Sequence, residues 1–129
     1  KNDVNRRIAN ALDEARIPVV LLDRTVLPYP GRGHHDLVGI DNRRAGHTIT
    51  AHLLGLGCRR VGFLAYPRTA ATVDAREAGY REALYQHDAP VERALVQRID
   101  PSDREAVRAF ISSSRPEAIV CANDRTAGG

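Results

Sequence analysis

Apolar positions along this chain fall into short runs separated by longer amphipathic segments. Residues 17–22, 37–40, 60–66, 95–99 and 118–121 are apolar runs too short for helices, and they lack strict polar alternation. That pattern predicts buried strands. Between them, residues 3–16 align Val4, Ile8, Leu12 and Ala15 on one face. Residues 43–56 align Ala45, Ile49, Leu53 and Leu56, and residues 73–87 align Val73, Tyr80, Ala83 and Leu84. Those spacings predict three helices. A fourth, over 103–114, has the strongest start signal: Ser102 and Glu105 form an S-x-x-E capping box, with Val107, Phe110 and Ile111 facing inward. Gly57 suits a left-handed helix end. Residues 23–36 make the one long loop, rich in Pro and Gly.

Helices and strands alternate with short connections. The expected fold class is therefore α/β, with parallel sheets and crossover helices. Composition narrows the class without changing it. A chain of 129 residues with 43% hydrophobic and 27% charged residues fits one ordinary soluble globular domain. No apolar run reaches membrane-spanning length, so no membrane partner is expected. The N-terminal KNDVNRRIANALDEAR is charged and amphipathic, unlike a secretory signal. The two cysteines, Cys58 and Cys121, stand far apart, so a disulfide framework is not expected and a reducing cytoplasm is the default. The net charge of +3 comes from scattered arginines without interleaved aromatics, which does not mark this segment as a nucleic-acid surface.

In open parallel α/β sheets, ligands bind beyond the carboxyl ends of the strands. Asp23 and Arg24 follow the first predicted strand, and Asp41 and Asn42 the second. Arg68, Thr69 and Thr72 follow the third, Asp100 and Ser102 the fourth, and Asn123 and Asp124 the last. Carboxylates, amides, hydroxyls and guanidinium groups on one edge suit a polyhydroxylated neutral ligand such as a sugar. The competing reading is that the Asp, Asn and Ser residues are helix caps, Asp41, Asn42 and Ser102 above all. Arg76 stands apart. It lies in the first turn of its helix, where the dipole disfavours a cation, and it shares a stripe with Val73, Tyr80 and Ala83. An inward arginine needs partners, either a carboxylate such as Asp23 or Asp124, or a ligand.

Several chemistries find no support. The phosphate-binding pattern G-x-x-x-x-G-K-[ST] is absent, and Gly55-Leu-Gly57 ends a helix rather than following a strand. His34-His35 lacks a third ligand at metal spacing, so no metal or cofactor is expected. His52 is expected against the neighbouring layer. There is no G-x-S-x-G elbow and no evident acid/base pair of carboxylates, so nothing asks for an enzyme.

The segments IPVVLLDR (17–24), VGIDNRRAG…AHLLGLGCRRVGFLAY (38–66), DAREAGYREAL (74–84) and PEAIVCANDRTAGG (116–129) follow in order. Together they resemble the effector-binding domain of the LacI/GalR family of bacterial transcription regulators, a domain shared with periplasmic sugar-binding proteins. The resemblance implies a two-lobed, periplasmic-binding-protein-like (type I) fold, present in part. Residues 1–40 would belong to the first lobe and 41–129 to the second, with Asp41 and Asn42 at the hinge and capping the following helix. By motif, Arg76 is similar to the family arginine that grips effector hydroxyls. Asn123, Asp23 and Thr72 match cleft positions, with Arg24 and Asp124 behind them. The implied function is binding of a small sugar effector that controls DNA binding in a homodimer, through a helix-turn-helix head preceding this segment. A transport-type sugar-binding protein is the alternative, and a flavodoxin-like enzyme the more distant one.

Overall fold

The structure, a computed structural model, describes residues 2–16, 18–27, 30–31, 33–68 and 70–129; the side chains of residues 2–6 fall outside that description. The chain divides into two compact units, Lys1–Ile40 and Asp41–Gly129.

The first unit contains helix α1 (Asn2–Glu14) and strands β1 (Val20–Leu22) and β2 (Asp36–Val38). The strands pair in parallel, Leu21 opposite Leu37, and the Asp23 N–H extends the ladder to Val38 O at 2.8 Å. Both strands are shorter than the apolar runs that predicted them, and they are not buried. Val20, Leu22, Leu37, Val38 and Ile40 are exposed, while Leu21 is half-buried. Ile17 lies outside the described residues. The expected inner face of α1 is also displaced: Ala9 is buried, Leu12 is half-buried, and Ile8 and Ala15 are exposed.

The second unit carries the core. Its elements are α2 (Asn42–Gly55), β3 (Val61–Ala65), α3 (Ala71–Gln86), β4 (Val96–Arg98), α4 (Arg104–Ser114), β5 (Ala118–Cys121) and the short α5 (Asp124–Ala127). The sheet is parallel in the order β4-β3-β5, with Phe63 opposite both Val96 and Val120. All five residues of the central strand β3 are buried. Side chains alternate along a strand, so Val61, Phe63 and Ala65 share a face. There they meet Leu54 of α2 and Val73, Tyr80 and Leu84 of α3. The Phe63 and Tyr80 rings lie 5.3 Å apart between centroids, and the Tyr80 hydroxyl donates to Val61 O at 2.7 Å. On the opposite face Gly62 makes room for α4: a Cβ there would stand 3.1 Å from Phe110 Cζ. The expected α/β class with parallel strands and covering helices is what the chain adopts.

Helices α2 and α3 touch backbone to backbone. A Cβ on Gly46 would sit 2.1 Å from Arg76 O, and one on Gly79 would sit 1.9 Å from Arg43 O. The contact turns α2 partly away from its expected orientation: Ala45 and Leu53 are half-buried, Leu53 packing against the core. Its buried stripe is Asn42, Gly46, Thr50 and Leu54, while Ile49 and Leu56, expected inside, are exposed. Small and hydroxylated residues win because only they allow so close an approach, and Thr50 returns its hydroxyl to Gly46 O at 2.7 Å. His52 is exposed rather than set against a neighbouring layer.

Two helix starts settle differently from each other. Asp41 is the N-cap of α2, its carboxylate accepting from Arg44 N at 2.9 Å. The cap of α4 is not Ser102 but Asp103, which accepts from Ala106 N at 3.0 Å. Ser102 is engaged elsewhere, donating its hydroxyl to Asp100 Oδ1 at 2.7 Å. Of the inward positions expected on α4, Phe110 is buried, Val107 half-buried and Ile111 exposed. Gly57 takes φ +97° after α2, the left-handed end its position predicts.

Candidate functional site

Arg76 is the residue on which the second unit converges. It projects from α3, one turn after Thr72, and its Nε donates to Asn42 Oδ1 at 2.9 Å while Nη1 donates to Ala122 O at 2.5 Å. One guanidinium thus joins the first residue of α2, the helix α3 and the backbone leaving β5. That backbone leads into Asn123, the N-cap of α5, whose Oδ1 accepts from Thr126 N and Thr126 Oγ1, both at 2.9 Å. The cluster lies at the carboxyl end of β5, where open parallel sheets place their ligands.

The partners of Arg76 are not those a charge-matching argument selects. Within the second unit Asp124 does not bond it; a side-chain amide and a main-chain carbonyl do. Elsewhere in this unit half-buried and surface arginines pair with acids. Arg43 Nε meets Glu82 at 2.9 Å, and Arg60 forks onto Glu92 while also donating to Ser114 O. Arg98 of β4 bridges Asp74 and Glu77 at 2.7 and 2.6 Å, and Arg81 closes on Glu77 from the next turn of α3. Burial pushes the Glu77 carboxyl up, but the hydrogen bonds and charges of Arg98 and Arg81 outweigh it and hold Glu77 below the usual carboxylate range. Only Arg81–Glu77, at i,i+4 spacing, carries a local signal; nothing local marks Arg60 and Glu92, 32 residues apart, as partners. Arg76 alone among the arginines just named is held by neutral acceptors. Among the described residues no protein group takes its Nη2 donors, and the guanidinium is half-buried rather than sealed.

The other predicted residues distribute as follows. Asp41 and Asn42 sit at the start of α2, Asn42 buried and Asp41 exposed. Thr72 is half-buried in the first turn of α3, and Asp124 is exposed in the first turn of α5. Asp23 and Arg24 lie in the first unit and are exposed, Asp23 with φ +70° and Arg24 N bonded to Leu22 O. Thr69 lies outside the described residues. Arg68 is exposed, and Arg125 stacks over the Tyr66 ring at 5.0 Å beyond β3, a contact the sequence reading missed. Asp100 is held below the usual carboxylate range by hydrogen bonds from Ser102. Both cysteines are free, half-buried thiols, and burial pushes the Cys121 thiol up. Among the described residues no cluster of three or more His, Cys, Asp or Glu could hold a metal, and no helix is long and apolar enough to cross a membrane.

Comparison with known proteins gives this geometry its setting. The HTH-type transcriptional regulator GalR of Salmonella typhimurium is 28% identical over 118 residues, covering 88% of this chain and 34% of its own length. A LacI-family regulatory protein from Chloroflexus aggregans superposes with a TM-score of 0.71 at 27% identity, covering 92% of this chain and 43% of that one. The transcription regulator GntR of Chromobacterium violaceum gives a TM-score of 0.73 at 29% identity, covering 93% of this chain and 44% of that one. The chain thus spans about a third of the curated relative and less than half of each solved structure. The curated relatives are HTH-type transcriptional regulators. The family of periplasmic binding proteins and the sugar-binding domain of LacI-type proteins matches residues 3–129, and this chain belongs to it.

Proposed function

We propose that this chain is part of the effector-binding domain of a LacI-type transcription regulator, taking a small sugar or related metabolite in a cleft between two lobes. The observation that carries the reading is Arg76: a half-buried guanidinium at the carboxyl end of a parallel sheet, oriented by Asn42 and Ala122 O, with its Nη2 edge left for a ligand. Guanidinium donors in a fixed plane suit vicinal hydroxyls. Asn123 and Thr72 would add contacts from the same unit. Asp41 and Asp124 would flank the cleft, and Asp23 and Arg24 would contribute from the first unit. Residues 1–40 and 41–129 are assigned to the first and second lobes. Ligand-driven closure of the lobes would change the geometry of a homodimer and so the spacing of its DNA-binding heads, in the cytoplasm.

Arg76→Ala should weaken binding of a cognate sugar at least about tenfold, the loss expected when charge-assisted hydrogen bonds disappear, with the fold retained. Calorimetry against a panel of pentoses, hexoses and sugar acids checks it, and an unchanged affinity would remove Arg76 from the site. Asn123→Ala should weaken binding by about 1–3 kcal/mol for the same reason. Because Asn123 also caps α5, Asn123→Ser, which keeps a capping oxygen, separates the two effects. The family also includes periplasmic binding proteins. The coding region upstream of Lys1 distinguishes the two: a helix-turn-helix supports the regulator, and an export signal supports a transport protein.

A further inference from the structure

A guanidinium at the end of a flexible stem recognises little unless something fixes its plane. Arg76 is fixed at two points, Nε on Asn42 and Nη1 on Ala122 O. Because the group is rigid and planar, two anchored nitrogens determine where the Nη2 donors point. Ala122 contributes a main-chain atom, so Asn42 is the side chain that sets the plane. Asn42 has no capping duty, which Asp41 discharges. It is nevertheless buried, and the helix that carries it is held against α3 by the Gly46 and Gly79 contacts, so Asn42 reaches Arg76 from a rigid base.

We infer that Asn42 is the positioning residue for Arg76, and that it acts on ligand affinity through the orientation of the guanidinium. The inference rests on the reading of Arg76 as a ligand-binding group. A neutral amide suits the role better than an acid. It directs the Nε–H without pairing off the positive charge, which the carboxylates around Arg43, Arg60, Arg81 and Arg98 do for theirs.

The test is side-chain 15N spectroscopy of the full chain as wild type, N42A and N42D, with R76K to assign the Arg76 Nε–H. The Arg81 Nε–H, bonded to Glu77 on the same helix, is the internal control. In N42A the Arg76 Nε–H should exchange with water at least about tenfold faster, while Arg81 is unmoved; N42D, which restores an acceptor, should return Arg76 to within about threefold of wild type. Calorimetric titration with D-galactose and D-ribose should follow the same order. An unchanged Arg76 exchange rate in N42A overturns the inference. Faster exchange of both arginines also overturns it, since Asn42 would then be serving the helix pair as a whole. Selective loss at Arg76 with undiminished sugar affinity overturns it too, as orientation would not matter for binding. If the wild type binds neither sugar while exchange responds selectively, the positioning of Arg76 stands and the sugar reading loses support.

Discussion

Strands β1 and β3 come from runs of similar apolar character, VVLL and VGFLA, yet they end in opposite surroundings. Leu22 of β1 is 78% exposed, whereas every residue of β3 is buried. The difference lies in the neighbours. Strand β3 has a strand on each side, α2 and α3 over one face and α4 over the other. Among the described residues strand β1 pairs only with β2. Apolar character states that a strand is suited to being covered; which element covers it is a property of the whole fold.

The sharpest way to break this contrast is Phe63→Ala. Removing a fully buried ring from β3 should destabilise the second unit by about 3–5 kcal/mol in urea denaturation. A cost below about 1 kcal/mol would mean that the core around Tyr80 is not the one that holds the unit together. Gly79→Ala comes next, at about 1–3 kcal/mol, because the added methyl meets Arg43 O and must part α2 from α3. Tyr80→Phe separates packing from polarity. Burial pushes the Tyr80 hydroxyl up to about 12 from its ordinary 10, so folding favours the neutral phenol. Its contribution is fully present below pH 10 and disappears as the pH climbs through about 12. The substitution should cost about 1 kcal/mol below pH 10 and flatten the alkaline arm of a stability–pH profile. Asp41→Ala, which removes the cap of α2, should cost about 1 kcal/mol by the same denaturation assay. Leu22→Ala should change stability by less than about 0.5 kcal/mol, and a larger loss would reveal that β1 is covered after all.

The order of helices and strands was legible from the periodicity, and so was the apolar face of α3, where Val73, Tyr80, Ala83 and Leu84 are all buried. The inward face of α2 was not legible. A hydrophobic count chose Ile49 and Leu56, while the helix turns Gly46 and Thr50 inward, because closeness of approach outweighs apolarity where two backbones touch. The capping box at Ser102 slipped by one residue for a similar reason: adjacent Ser102 and Asp103 both qualify locally, and Asp100 draws the serine away. At the site, Arg76 stood out by its position on an apolar stripe. Its anchors did not, since an amide 34 residues away and a carbonyl 46 residues away carry no charge to betray them.

The glycine contacts between α2 and α3 have a metrological consequence. The separation of these helices is a hard stop, main chain against main chain, with no titratable or rotameric group as spacer. Ion pairs such as Arg43–Glu82, at the margin of the same helix pair, weaken as salt rises. The stop does not. The distance from Asn42 to Arg76 is therefore gauged by a standard insensitive to pH and ionic strength, and a sensor built on it would keep its calibration while the charges around it vary.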